Sequence, residues 1–281
     1  MAIGDSTRIN TNIAAFNALN SLKTINRNLE RSQLKLATGL RINEVADDPA
    51  GFTISRRLDA RSRGLAVAFD NVGTAKNVLS IAEGGLLNIQ SILITMKEKV
   101  TQAASDTLGS AERNAIKTEI EQLTQEIDNI IGETTFNDRV LLDGTYTGMS
   151  FQTGEDTVNV MAFDIDTVNT ASGLGVNTGS VASRVFTASG SSIALSQVDS
   201  AIDTIAATLQ KIGATVSRMG IKESTLSIAI INTEATRGRI EDADIAKEQL
   251  TSTKLQILQQ TATAQLAQAN VTPQNVLALF T

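Results

Sequence analysis

The sequence predicts a mainly α protein. It reads as a long antiparallel helical coiled-coil or bundle rod, with its N- and C-terminal segments paired and a small β-hairpin region between the halves. Three observations lead there. Apolar residues recur alternately three and four apart over long spans, the pattern of helices that bury one stripe against other helices. Only two of 281 residues are proline, which removes a backbone donor and clashes inside helices. Aromatic residues make up 3% of the chain and Trp is absent, so the core must be built from Ile, Leu, Val and Ala.

The N-terminal stripe contains Leu22, Ile25, Leu29 and Leu36, with Ser32 at one seam position and Phe16 ahead of it. A second helix should start at Asp48-Pro49. The carboxylate can cap free N–H groups, and Pro suits the first helical position. Asp47 adds negative charge where the helix dipole favours it. Ile54, Leu58, Leu65, Phe69 and Val72 open this face. Ala75, Leu79, Ala82, Leu86, Ile89, Leu93, Met96, Val100 and Ala103 continue it without a miss, a span of about 44 Å as continuous helix. Ile116, Ile120, Leu123, Ile127 and Ile130 form the next stripe.

From Gly132 to about Ser192 the composition turns to Gly, Ser, Thr, Asn and Asp with short β-branched runs. Asp143-Gly144 is a hairpin-type turn signal. Val158, Val160 and Ala162 alternate with Asn159 and Met161, which predicts one or two short hairpins. Asn169 to Ser180 reads as an exposed loop. Helical spacing resumes with Leu195, Val198, Ile202, Ile205, Leu209, Ile212, Val216 and Met219. It lapses at Glu223 and returns at Leu226 and Ile230. Leu255, Leu258, Ala262, Leu266 and Ala269 make a narrow final stripe among Gln259, Gln260, Gln265 and Gln268.

Both terminal stripes are thinly apolar, and isolated short helices are marginal in water. They should gain order by packing on each other and on neighbouring copies. The expected organisation is 1–44 with 240–281 as a terminal coiled-coil domain, 45–145 with 191–239 as a helical rod, and 146–190 as a short surface-exposed insert. The assembly seam is placed at Phe16, Leu22, Ile25, Leu29, Leu36, Leu255, Leu258 and Leu266. The rod core is placed at Leu79, Leu86, Ile89, Leu93, Ile120, Leu123, Ile127, Ile205, Leu209, Ile212 and Val216.

Composition narrows the function. The chain has no His and no Cys, which removes the usual zinc sites, a thiol nucleophile and a Ser-His-Asp triad. The net charge of −6 provides no basic field for nucleic acid. No apolar run reaches the about 18 residues of a membrane span, and Met1 to Asn20 lacks the pattern of a cleaved secretory signal. Glu44, Asp47 and Asp48 read as capping groups rather than an acid–base pair. Arg56, Arg57, Arg61 and Arg63 read as a solvated face or as salt bridges to another subunit. Glu83-Gly84-Gly85 lacks the Lys of a phosphate loop, and its glycines fit close helix approach instead. The expectation is a structural protein, not an enzyme, with no cofactor and no metal.

Linked motifs resemble one family. Ile9-Asn10-Thr11-Asn12 with Ala14, Asn17 and Leu19 resembles the N-terminus of bacterial flagellins. Ala37-Thr38-Gly39-Leu40-Arg41-Ile42-Asn43 and Ala46-Asp47-Asp48-Pro49-Ala50-Gly51 are similar to that family's next signature. Ala82-Glu83-Gly84 and Phe136-Asn137 with Leu141-Leu142 also fit. Arg239-Ile240, Asp242, Asp244-Ile245-Ala246, Gln256-Ile257-Leu258-Gln259-Gln260, Leu266-Ala267-Gln268-Ala269-Asn270 and Pro273-Gln274 with Val276-Leu277 resemble its C-terminal block.

The resemblance implies a filament subunit that polymerises with itself beneath a cap for swimming motility. It implies export through the flagellum's own type III apparatus and an extracellular location. Terminal helices would line the central channel, and the next domain would form the outer tube. Implied partners are the cap and hook-junction proteins and an export chaperone at the C-terminal helix; neither nucleic acid nor membrane is implied. The family's innate-immune epitope would fall at Leu93 to Gln102, with Thr95, Lys99 and Gln102 at equivalent positions. Thr95 stands where the recognised type carries Arg, and Lys99 where it carries Leu, so weak Toll-like receptor recognition is expected. A hook–filament junction protein, or a surface adhesin or carbohydrate-binding variant, are the alternative readings. Thr187 to Ser192 could equally be glycosylated.

Overall fold

A computed structural model describes residues 11–163, 171–177 and 180–277. It contains α1 (Ile13–Thr38), α2 (Pro49–Ala103), α3 (Ser110–Glu133), β1 (Thr135–Phe136), β2 (Arg139–Val140), β3 (Met149–Gln152), β4 (Val160–Phe163), α4 (Ala188–Glu241) and α5 (Ile245–Leu277). The fold is mainly α with two small antiparallel hairpins. The chain forms two compact units. A terminal unit holds Met1–Arg61 with Asn232–Thr281, and a central unit holds Ser62–Ile231.

The central unit has one continuous hydrophobic core. Leu79, Leu86, Ile89 and Leu93 of α2, Ile120 and Ile127 of α3, and Ile205 and Ile212 of α4 are fully buried in it. Leu123, Leu209 and Val216 pack against it half-buried. Ion pairs fix the helix directions. Lys76 meets Glu223 and Lys97 meets Asp199, so α4 runs antiparallel to α2. Lys99 meets Glu119 of α3. The lapse in the heptads at Glu223 is therefore the place where the seam accommodates a charge pair rather than an apolar contact. Helix α2 is long and apolar enough to cross a membrane by length and composition alone. The same helix carries Leu79, Ala82, Leu86, Ile89 and Leu93 into the core.

The α2–α3 turn is closed by a buried cation. Arg113 donates to the carbonyl of Ala103, the last residue of α2, to those of Ser105 and Leu108 in the turn, and to that of Val185. The Ala103 carbonyl is one that a helix end leaves without an intrahelical donor. Gly85 lets α2 lie close to the end of α3 and the segment after β2. An added Cβ there would sit 2.6 Å from Thr134 Oγ1 and 2.9 Å from Leu142 Cδ1.

The small β region corrects the sequence reading in two places. The β1–β2 hairpin turns at Asn137-Asp138, both at positive φ (51° and 62°), as a two-residue turn requires. Asp143-Gly144 instead makes a local turn, where Asp143 Oδ1 accepts the Thr145 N–H at 2.8 Å. The stretch expected as an exposed loop is partly core: Ala171, Leu174 and Val176 are buried. Val176 and Asp128 explain why, since the Val176 carbonyl accepts from Thr124 and the Asp128 carboxylate accepts the Ala171 N–H, tying the segment to α3. The rest of that expectation, residues 169–170 and 178–179, lies outside the described residues.

Candidate assembly surface

The terminal unit is built around α1 and α5, which run antiparallel. Asn12 Nδ2 donates to the Ala269 carbonyl, Gln259 Nε2 to Asn26 Oδ1, and Ser32 Oγ to the Glu248 carbonyl. Asn12 also caps α1 by accepting the Ala15 N–H at 3.0 Å. Gly39 ends α1 at φ 73°, a conformation that glycine adopts without Cβ strain.

The signature that follows α1 is a knot of backbone bonds. Leu40 bridges Asp242, the Arg41 N–H donates to the Glu241 carbonyl, and the Ala243 N–H donates to the Gly39 carbonyl. The Arg41 side chain adds a bond to the Ile240 carbonyl. Ile42 is 2% exposed beneath this turn. Asp47 then accepts the N–H groups of Asn43 and Glu44, and Asp48 caps α2 by accepting the Gly51 N–H at 2.9 Å. Partial burial pushes the Asp47 carboxyl up, but those two backbone N–H bonds, with Lys35 and Arg31 nearby, outweigh it. The net pKa lies below the ordinary carboxylate value. Gly51 is required by proximity, since an added Cβ would meet Asp48 Oδ2 at 2.6 Å and Ile42 Cδ1 at 2.7 Å. At the opposite junction Asp244 caps α5 through the Lys247 N–H.

The α1–α5 seam buries little. Among the described residues of the terminal unit, the buried apolar side chains are Leu29, Ile42 and Ala262. Leu22, Ile25, Leu36, Leu255 and Leu266 are half-buried. Phe16 and Leu258, placed in the seam by sequence, are 67% and 39% exposed. The α5 face turned to α1 reads Ser252, Leu255, Gln259, Ala262, Leu266, Ala269, all buried or half-buried. Gln259 thus takes the position that the spacing of Leu residues assigns to Leu258. Following apolar residues alone missed Ser252 and Gln259; the unbroken three-four alternation of 252, 255, 259, 262, 266 and 269 was the available signal. The same register puts Leu250, Ile257, Ala264 and Val271 on the far side of α5, and all four are exposed. Ile13 and Leu34 are likewise exposed on α1.

The remaining expected positions lie on α2 in the central unit. Thr95 is half-buried and bonds back to the Ser91 carbonyl, Lys99 pairs with Glu119 at 2.7 Å, and Gln102 is exposed. Among the described residues no group of acidic side chains could hold a metal ion.

Known proteins match along almost the whole chain. Residues 9–147 match the bacterial flagellin N-terminal helical region, and residues 195–280 the bacterial flagellin C-terminal helical region. A flagellin of Bacillus subtilis is 36% identical, the alignment covering 97% of this chain and 99% of that relative. A flagellin of Halalkalibacterium halodurans is 32% identical over the same shares. A solved chain assigned as a flagellar hook-associated protein of Vibrio parahaemolyticus shares the fold, with a TM-score of 0.61 at 15% identity, covering 70% of this chain and all of that one. With both terminal regions matched and full-length relatives above the 30% level, the chain belongs to the bacterial flagellin family, the structural subunits of the flagellar filament.

Proposed function

We propose that this subunit polymerises with itself through the terminal unit, and that the seam around Phe16, Leu22, Ile25, Leu29, Leu36, Leu255, Leu258 and Leu266 is completed by neighbouring copies. The observation that carries this reading is the imbalance in that unit. Three apolar side chains are buried, while Ile13, Phe16, Leu34, Leu250, Ile257, Leu258 and Val271 are left more than a third exposed. A scattered exposed Leu is ordinary, but heptad-spaced exposed residues on one helix face mark an interaction surface.

In this reading 1–44 with 240–281 forms the filament's inner core, 45–145 with 191–239 the surrounding tube, and 146–190 faces outward. The role is mechanical and involves no catalytic step, in keeping with a chain that has neither His nor Cys. Flagellar cap and hook-junction proteins meet its ends, an export chaperone holds α5 before assembly, and the flagellar apparatus delivers it outside the cell. Innate-immune recognition at Thr95, Lys99 and Gln102 is weak, because the Lys99 charge is already paired with Glu119 and would have to leave that partner at an apolar contact. A reporter-cell assay reading full potency would refute that part.

Seeded polymerisation tests the assembly reading. Purified protein should lengthen filament seeds, seen by electron microscopy. The variant Ile257→Asp should keep monomer helicity and fail to elongate. An Ile257→Asp protein that elongates like wild type would defeat the assignment of this face.

A further inference from the structure

Among its described residues the terminal unit carries two sets of charges that close no ion pair. Lys23, Arg27 and Arg31 follow one another at four-residue spacing on α1, so they form one exposed stripe. None has a carboxylate within ion-pair distance among the described residues. Lys23 and Arg27 line an open groove with Asn20, Thr24 and Asn26. Glu30 and Glu44 share a neighbouring groove with Arg27 and Arg31, also without closing a pair. At the α4–α5 junction, Asp242, Asp244 and Glu248 have no cation partner among the described residues, whereas Glu241 is used by Arg237. Asp242 and Asp244 are exposed, Glu248 half-buried. Asp244 Oδ1 accepts the Lys247 N–H.

These sets are offset along the helix pair. Glu248 lies beside Ser32, and Asp242 beside Leu40. The stripe is centred on Arg27, so the two patches are displaced by about 14 Å along α1 at about 1.5 Å per residue. Two complementary patches on one chain can pair reciprocally in a closed two-fold dimer or head to tail, and only the head-to-tail contact propagates as an open helical polymer. A filament subunit uses the second arrangement.

Resting on the filament reading above, we propose that Lys23, Arg27 and Arg31 of one copy receive Asp242, Asp244 and Glu248 of a second copy. This contact sets the axial stagger between subunits and steers the incoming one. The apolar faces supply adhesion, and the charge pairs supply register. Peripheral charges of this kind act mainly on the association rate and are screened by salt.

The test is seeded elongation of the full-length chain, followed by light scattering and microscopy at rising NaCl. Wild-type elongation should slow as salt rises from about 50 mM to about 500 mM, where the Debye length shrinks severalfold. The double variant Lys23→Glu, Arg27→Glu should elongate at least about tenfold more slowly at low salt, since like charges face each other. The converse pair Asp242→Lys, Glu248→Lys should be equally slow alone. An equimolar mixture of the two variants should recover elongation, a result that misfolding of either cannot produce. If the reversed variant elongates at the wild-type rate with the same salt response, or the mixture stays as slow as its components, the contact is overturned. A wild-type chain that fails to extend seeds would instead overturn the filament reading and this contact with it.

Discussion

At the scale of single residues, the polar side chains that matter here act on helix ends. Arg113 is 7% exposed and bonds to carbonyls from three segments. Arg113→Ala would remove its bonds to those carbonyls, and should lower the stability of the central unit by about 2–4 kcal/mol in thermal unfolding. Arg113→Lys should restore only part, because one ammonium cannot reproduce a planar fork of donors. Asp48→Ala removes the α2 cap and should cost about 1 kcal/mol. Asp47 gives a pH signature. Its folded pKa is depressed, so its contribution is present above the unfolded carboxylate value and is lost as pH falls through the lower folded one. Stability should therefore stay flat through neutral pH and fall only on the acid limb, below about pH 4. The acid limb of Asp47→Asn should be shallower; an unchanged limb would show that the clamp on Asn43 and Glu44 does not depend on that charge.

At the scale of elements, periodicity made the helices readable wherever one face is buried. The α2 and α4 stripes show up in sequence because Leu79, Leu86, Ile89, Leu93, Ile205 and Ile212 lie in a single dry core. The seam of α5 was harder to read. Its buried line includes Ser252 and Gln259, and its exposed line includes Leu250 and Ile257, so hydrophobicity alone does not say which face turns inward. The hairpin turn at Asn137-Asp138 was overlooked because Asp143-Gly144 is the stronger local signal, although Asn is among the residues that tolerate positive φ. Buried Ala171, Leu174 and Val176 were hidden among glycines, since three apolar residues bounded by turns carry no period. A prediction belongs to this scale. Leu29→Asp should loosen the α1–α5 pair in the monomer, seen as lost helical circular dichroism. Ile257→Asp should leave the monomer spectrum intact and act only on assembly. Equal helix loss in both would show that the two faces of the pair are not distinct.

For the molecule as a whole, the two units differ in how they are held together. The central unit has a core cluster that draws on α2, α3, α4 and the β region. The terminal unit has Leu29, Ile42 and Ala262, together with a network of backbone bonds at one end of its helix pair. Stability that rests on so few buried side chains is local and small, so such helices open readily. Removing residues 1–40 or 245–281 should abolish polymerisation while the central unit still melts cooperatively. Filaments formed by either truncated chain would remove the terminal unit from the assembly mechanism. Amide hydrogen exchange on dilute monomer and on assembled filament measures the difference directly. Exchange across α1 and α5 should be fast in the monomer and strongly slowed in the filament, with the α2 and α4 cores slow in both. Slow exchange of α1 and α5 already in dilute monomer would contradict the account.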